Sequence, residues 1–330
     1  MNEPTTDPTD TLTRTPFPDL PTRLVTELAD AGLEPRRVYD DVVRALEEDL
    51  PGEDVTSVAT IASDLTGRAE LAARADGVVA GLAVAELVFC YVAGPGVEVS
   101  RPVPDGTRVT RGDVVLQVRG PVRLLLTAER TALNYLCHLS GVATATARWV
   151  DALEGTGAQV RDTRKTTPQF RALEKYAVRC GGGHNHRASL SDQALVKDNH
   201  VLGAGGVVAA YHAVRERYPT LPVQVEVTNR DQLLAVLDAG ATEILLDNMS
   251  IQDMADAVAA TTGRARLEAS GGLTLDRARE VAQTGVDLIS VGALTHSAPV
   301  LDIGMDLRPG APPPGSPEAG ARPADAARNA

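Results

Sequence analysis

From residue 158 onward the chain repeats one pattern: a short apolar run, a polar or glycine-rich end, then a helical stretch. The apolar runs fall at 158–162, 193–197, 223–227, 243–247, 266–270 and 287–291, and the last three intervals are each about 22 residues, the length of one βα unit. Strand–helix alternation of this kind predicts a parallel sheet. What stands at the strand ends decides between an open sheet and a barrel. They carry Asp162 to Lys165, Lys197-Asp198, Glu226, Asp247, Ser270-Gly271-Gly272 and Gly292. Chemistry at the C-terminal end of every strand is how α/β barrels build active sites. No Gly-x-Gly-x-x-Gly follows a strand, which disfavours a dinucleotide fold. Six strands are short of eight, so the expectation is an irregular or incomplete α/β barrel.

A different texture precedes it. Val38, Val42, Leu46 and Leu50 recur at four-residue spacing and Pro51-Gly52 stop the run, which predicts a helix. On that pattern Val38-Tyr39-Asp40-Asp41 reads as helix surface rather than as a ribose-phosphate motif. Between about 68 and 127, short apolar runs such as Val97-Glu98-Val99 and Val114-Val115-Leu116 alternate with turn signals such as Pro104-Asp105-Gly106 and Arg111-Gly112-Asp113. That is the texture of a small mixed α/β domain, and 128–150 then reads as one long helix. Both ends look unable to fold: 1–20 is mostly Thr, Pro and Asp, and 309–330 holds seven Ala, six Pro and three Gly. The expected organisation is therefore a disordered tail 1–20, a small domain 21–140, a barrel 141–308 and a disordered tail 309–330.

Charge and cysteine usage narrow the function. With 32 Lys and Arg against 44 Asp and Glu the net charge is −12, which argues against nucleic acid or an anionic membrane as partner. Cys90, Cys137 and Cys180 fit neither a disulfide framework nor a thiolate zinc site, so a reducing cytoplasm is expected. No apolar stretch approaches the roughly 20 residues that cross a bilayer.

Against that acidic background, residues 161–200 hold eight Lys or Arg and four acids. Arg171, Lys175 and Arg179 are four apart and fit a solvated helix face as well as a site. Arg164, Lys165, Arg187 and Lys197 sit at strand ends or beside glycines, where guanidinium forks suit carboxylates or phosphates. His184 and His186 have no third ligand at metal spacing; His186, beside Arg187, suits an anion pocket. Glu226 and Asp247 end consecutive strands and are candidates for Mg²⁺ or ribose hydroxyls, or for structural pairing. Ser270-Gly271-Gly272 and Gly292, at the last two strands, are turns of the type that holds a phosphate.

Read together, Asp162-Thr163-Arg164-Lys165-Thr166-Thr167-Pro168, Glu174-Lys175-Tyr176-Ala177-Val178, Gly181-Gly182-Gly183-His184-Asn185-His186-Arg187, Val196-Lys197-Asp198-Asn199-His200, Val225-Glu226-Val227, Leu246-Asp247-Asn248-Met249 and Glu268-Ala269-Ser270-Gly271-Gly272 follow in order. The set closely resembles the quinolinate phosphoribosyltransferase family over about 36–308. Glu48-Asp49-Leu50, Asp54-Val55-Thr56 and Glu129-Arg130-Thr131-Ala132-Leu133-Asn134 match as well. The resemblance implies a pentosyltransferase that condenses quinolinate with 5-phosphoribosyl 1-pyrophosphate, giving nicotinate mononucleotide, pyrophosphate and CO₂ in NAD synthesis with Mg²⁺. It implies that Arg130, Arg164, His186, Arg187 and Lys197 hold the dicarboxylate. It implies that Lys165, Glu226, Asp247, Ser270, Gly271, Gly272 and Gly292 hold the donor, with Glu226 and Asp247 on the metal. It further implies a homodimer in which Arg130 enters the partner's site. Three alternatives stand beside it. A pyrophosphorylase of another aromatic acid would share all but the basic acceptor pocket. A Schiff-base aldolase-type barrel would use Lys197 as nucleophile. A lipoyl-like carrier would need an exposed lysine in the small domain, and no lysine precedes Lys165.

Overall fold

The computed structural model describes residues 12–309. Its N-terminal part holds α1 (Thr22–Asp30), α2 (Pro35–Asp49), α3 (Val55–Thr60), β1 (Thr66–Ala73), β2 (Gly77–Val78), α4 (Leu82–Ala93), β3 (Glu98–Ser100), β4 (Arg108–Val109) and β5 (Val114–Pro121). On α2 the four-residue spacing becomes a buried stripe of Val38, Val42 and Leu46. Tyr39 is buried too, packed edge-on against Phe17 and Tyr91, so the surface reading of Val38-Tyr39 was wrong. Helix α4 is apolar all round apart from Glu86, and every residue of it is buried. Glu86 is 1% exposed and pairs with Arg23 of α1 and with Arg101, as a buried carboxylate must.

Helix α5 (Val122–Ala152) has 31 residues and runs about 46 Å at the usual rise. It begins six residues before the expected start, because β5 ends at Pro121, whose fixed φ suits the residue that caps a helix. α5 packs on α4 in one half and on α6 (Arg171–Cys180) in the other, so the expected 140/141 boundary cuts a helix that both halves share.

The second half is the parallel sheet. Strands β6 (Gln159–Arg161), β7 (Ala194–Val196), β8 (Val223–Val227), β9 (Glu243–Asp247), β10 (Arg266–Ser270) and β11 (Leu288–Ser290) pair in the order β6-β11-β10-β9-β8-β7. Helices α7 (Asp198–Ala204), α8 (Val207–Arg217), α9 (Arg230–Asp238), α10 (Ile251–Thr261), α11 (Ala278–Ala282) and α12 (Ala293–His296) connect or follow them. Three of the expected strands coincide with β8, β9 and β10, and the other three are one residue shorter at each end. The curled sheet stops short of closing. A single parallel bridge from Arg161 to His184 adds one more segment beside β6. The remaining gap to β7 is crossed by a side chain, Arg187 Nη1 donating to Gln193 O at 2.9 Å.

Two terminal segments depart from the expected tails. Residues 12–20 are docked: the N–H groups of Thr13 and Thr15 donate to Val92 O (2.9 Å) and Tyr91 O (3.0 Å), and Thr15 Oγ1 donates to Cys90 O (2.8 Å). Val92 O and Tyr91 O are last-turn carbonyls of α4, which a helix cannot satisfy internally, while Cys90 O also accepts from the Gly94 N–H that caps the helix. Strand β12 (Ile303–Pro309) leaves the barrel and pairs antiparallel with β1, in a sheet of order β12-β1-β5-β3. So 303–308 belong with the N-terminal sheet rather than with the barrel. The rest of the expected tails, 1–11 and 310–330, lies outside the described residues.

Candidate active site

The site forms at the C-terminal ends of the barrel strands, around the chain that leaves β6. Asp162 has no exposure and accepts from Lys175 Nζ, from Asn185 Nδ2 (2.6 Å) and from His186 N–H (2.8 Å). Lys175 Nζ also donates to His186 O at 2.9 Å; burial lowers its basicity and Asp162 opposes that. Arg171 donates to Thr166 Oγ1, Ala188 O and Arg164 O, and Arg179 donates to Asn185 Oδ1. The row Arg171, Lys175, Arg179 is therefore only partly solvated, with Lys175 buried and Arg179 exposed. It is the clamp by which α6 holds the two site loops. Glu174, fully buried, accepts from His138 Nε2 of α5 (2.9 Å) and from Thr167 N–H (3.1 Å), which ties the loop after Lys165 to α5.

Inside these loops lies a cavity of about 270 Å³, lined by Arg164, Lys165, His186, Arg187 and Lys197 with Thr163, Leu195, Leu245, Glu268, Ser270 and Ser290. About 150 Å³ suffices for benzene, so a six-membered ring with substituents fits. Arg164 Nε is buried with no hydrogen-bond partner, a donor waiting for an acceptor. Burial, and then the nearby Arg164 charge, pulls Arg187 below the ordinary arginine range; the guanidinium stays charged. Lys197 Nζ donates to Glu226 Oε2 at 2.8 Å. His186 is 7% exposed, and burial holds its imidazole below the ordinary histidine range. Four cations line this cavity against the single lining carboxylate of Glu268, with Lys197 paired to Glu226 beside it, a balance that suits a small polyanion.

Glu226, Asp247, Gly271, Gly272 and Gly292 do not line the cavity; Glu226 is the last residue but one of β8, Asp247 ends β9, and the glycines follow β10 and β11. Asp247 and Ser270 pair across the β9–β10 register, and Asn248 N–H donates to Ser270 O at 2.9 Å. Gly271 has φ +97°, and a Cβ there would overlap Asn248 Oδ1, so only glycine fits. At Gly292 a Cβ would lie 3.0 Å from Lys165 Cδ, so its missing side chain is what lets the Lys165 stem pass. Among the described residues no group of three or more His, Cys, Asp or Glu is placed to hold a metal ion. Two carboxylates at neighbouring strand ends fit Mg²⁺ in the way that ion usually binds, with waters and substrate phosphates completing its shell. Arg130 is exposed on α5 and does not line the cavity of its own chain. His184 is exposed.

Sequence reasoning placed Asp162 at a strand end without a role and missed the other polar residues in and behind the cavity wall: Arg161, Gln224 and Glu268. A signal was present. In Val223-Gln224-Val225-Glu226-Val227 the period of two puts Gln224 on the face of Glu226, while all five residues are buried. Polar residues alternating within a fully buried parallel strand point into the barrel.

Comparison with known proteins agrees with this geometry. The family model for the N-terminal domain of quinolinate phosphoribosyl transferase matches residues 54–140, and the one for its C-terminal domain matches residues 142–306. The carboxylating nicotinate-nucleotide pyrophosphorylase of Mycobacterium leprae (strain TN) is 50% identical over 273 residues, 81% of this chain and 96% of that protein. A crystal structure of NadC from Streptococcus pyogenes superposes with a TM-score of 0.81 at 41% identity, covering 84% of this chain and 98% of that one. The structure of the nicotinate-nucleotide pyrophosphorylase from Francisella tularensis gives 0.80 at 36% identity, covering 83% and 96%.

Proposed function

The chain belongs to the quinolinate phosphoribosyltransferase family, and on that footing we propose that it transfers phosphoribosyl from 5-phosphoribosyl 1-pyrophosphate to quinolinate with decarboxylation. The products are nicotinate mononucleotide, pyrophosphate and CO₂, a step of NAD synthesis. Membership displaces the aldolase and carrier alternatives. One observation supports the acceptor assignment above the rest: Arg164, Arg187, Lys197 and Lys165 surround one ring-sized cavity in which Arg164 Nε is buried and unpartnered. Two adjacent carboxylates on a pyridine supply the negative charge that balances this cluster and the acceptor that Arg164 Nε lacks.

In the reaction the ring nitrogen attacks the anomeric carbon as pyrophosphate departs. Arg164, Arg187 and Lys197 hold the carboxylates and orient that nitrogen, which lowers the barrier mainly by positioning. His186 lines the same pocket, with both ring nitrogens engaged by the protein. Glu226 and Asp247, at the strand ends, face the sugar as positive charge develops on it, and Lys165 neutralises the leaving group. The turns at Ser270, Gly271, Gly272 and Gly292 receive the donor's phosphate oxygens through backbone N–H groups. When bound, Mg²⁺ on Glu226 and Asp247 supplies further positive charge to the pyrophosphate oxygens. Once alkylated, the ring nitrogen becomes an electron sink and the adjacent carboxylate leaves as CO₂.

The enzyme works in this reading as a cytoplasmic homodimer whose sites lie at the interface, with Arg130 reaching the partner's cavity. The three cysteines are unpaired, as in a reducing compartment, and no helix among the described residues is long and apolar enough to cross a membrane. Incubation with quinolinate, phosphoribosyl pyrophosphate and Mg²⁺, followed by mass spectrometry, tests the reading. Nicotinate mononucleotide with released CO₂ is the expected outcome. Turnover of nicotinate with none of quinolinate would overturn the acceptor assignment, and full activity after removal of divalent metal would overturn the Mg²⁺ assignment.

A further inference from the structure

From Glu268 in the cavity wall to Gln224 and His186 runs a buried relay of hydrogen bonds that the assignments above leave unused. Glu268, on β10, is 1% exposed; its Oε2 accepts from Arg161 Nη1 and from Gln224 Nε2, each at 2.9 Å, and its Oε1 has no hydrogen-bond partner. Gln224 Oε1 lies 2.9 Å from His186 Nε2, and Arg187 N–H lies 2.7 Å from His186 Nδ1. The direction of every link follows from the first. An ionised carboxylate only accepts, so the Gln224 amide must turn its NH₂ to Glu268 and its carbonyl to His186. That carbonyl needs a donor, so the imidazole must carry its proton on Nε2. Nδ1 is then bare and can accept from Arg187 N–H.

Resting on the functional reading above, we propose that Glu268 and Gln224 are positioning residues for the acceptor: they hold His186 as its Nε2-protonated neutral tautomer and so fix the main chain that presents Arg187. The consequence for the site is direct. Arg187 spans the open seam of the barrel to Gln193 O and carries one of the charges that meet the dicarboxylate. If His186 loses its tautomer, Arg187 N–H faces a proton instead of a lone pair, and the residue must move. The groups facing His186 come from three elements: Glu268 on β10, Arg161 and Asp162 at the end of β6, and Lys175 on α6. Burial, Arg161 and Lys175 disfavour the imidazolium, while Glu268 and the Gln224 hydrogen bond favour it, and burial is the largest of these effects. The neutral ring is what Arg187 N–H requires. Glu268 is also costly, since it keeps a carboxylate oxygen unpartnered in the interior. The ion pair with Arg161 occupies only Oε2, and Oε1 lies 3.6 Å from His186 Nε2.

Two substitutions separate positioning from mere structure. Gln224→Met removes the acceptor for Nε2 at nearly constant volume, and Glu268→Gln keeps the shape but lets the amide at 224 turn over. In each, KM for quinolinate is expected to rise roughly tenfold to a hundredfold, the cost of one mismatched buried hydrogen bond. KM for phosphoribosyl pyrophosphate should stay within about twofold. The double variant should be no worse than the worse single one, because both act through one histidine. ¹⁵N spectra of the wild-type side chains, with His186 assigned by its loss in His186→Gln, should show a bare Nδ1 and a protonated Nε2 from about pH 6 to 8. A doubly protonated ring or an Nδ1–H tautomer in the wild type overturns the proposal, whether or not either variant folds. So does a folded Gln224→Met enzyme with unchanged tautomer and unchanged quinolinate KM. Failure of the wild type to turn over quinolinate would refute the functional reading instead, and the ring nitrogens would still report on the relay.

Discussion

Replacing Arg164 by Ala tests the charge logic of the site most directly. In the free enzyme the Arg164 side chain adds little to stability: its buried Nε has no hydrogen-bond partner, and its charge disfavours that of Arg187. Only its carbonyl, which the substitution keeps, serves the clamp from Arg171. Stability should therefore hold or rise slightly, and Tm should not fall. With quinolinate bound the balance reverses, because one carboxylate sits in a partly desolvated cavity without its fork. Truncating one member of such a pair costs about 2–5 kcal/mol. At about 1.4 kcal/mol per decade that is a loss of about 30-fold to several thousandfold in kcat/KM for quinolinate. KM for the donor should change by less than about threefold. Arg164→Lys keeps the charge but not the planar fork, and should recover only part of the loss. Steady-state kinetics with each substrate varied in turn, beside thermal melts, make the assay. A quinolinate kcat/KM within threefold of wild type, or an equal loss toward both substrates, would refute the reasoning.

Lys175→Met leaves Asp162 buried without its cation and should cost about 3–5 kcal/mol by urea unfolding, with much of it regained in Lys175→Met/Asp162→Leu; equal midpoints for wild type and single variant would refute the pairing. Deleting residues 1–20 removes three hydrogen bonds to the end of α4 and should cost about 3 kcal/mol or more, read as a lower Tm, whereas a free tail would leave Tm unchanged. Arg130→Ala and Arg164→Ala homodimers should both be nearly inactive, and refolding an equal mixture should restore about a quarter of wild-type activity, since half the dimers are mixed and each then holds one intact site; no recovery, with mixed dimers verified by native mass, means Arg130 does not act across the interface. Burial pushes Cys90 up to about 12 and Cys180 up to about 11, so above about pH 9 the unfolded chain releases thiol protons that the folded chain keeps. Stability should fall as pH rises from about 9 to about 12, and Cys90→Ala should flatten that fall in chemical unfolding at fixed ionic strength; an unchanged slope would place the loss elsewhere.

The βα repeat, the strand ends and the family motifs were legible in the sequence because they are local. A strand covered on its outer face by helices shows apolar residues at least every second position, and the polar groups at its C-terminal end follow it immediately in the chain. Thus β8, β9 and β10 were readable to the residue, and Arg164, Lys165, Arg187 and Lys197 stood out as cations where helix spacing does not explain them. Tertiary structure alone decided what pairs with what over long separations. It decided the Arg171–Lys175–Arg179 row, which fitted a solvated face as well as a site, in favour of the clamp on the site loops, because α6 lies along the chain leaving β6 with Lys175 buried between them. It sent residues 303–309 back to β1 and seated residues 12–20 on the carbonyls of α4, and neither contact has a local signal. It also joined Arg161, Gln224 and Glu268, from three strands, into one relay to His186. Sequence periodicity records which face a side chain takes. Which partner awaits it on that face is set by how the sheet curls and where the barrel fails to close.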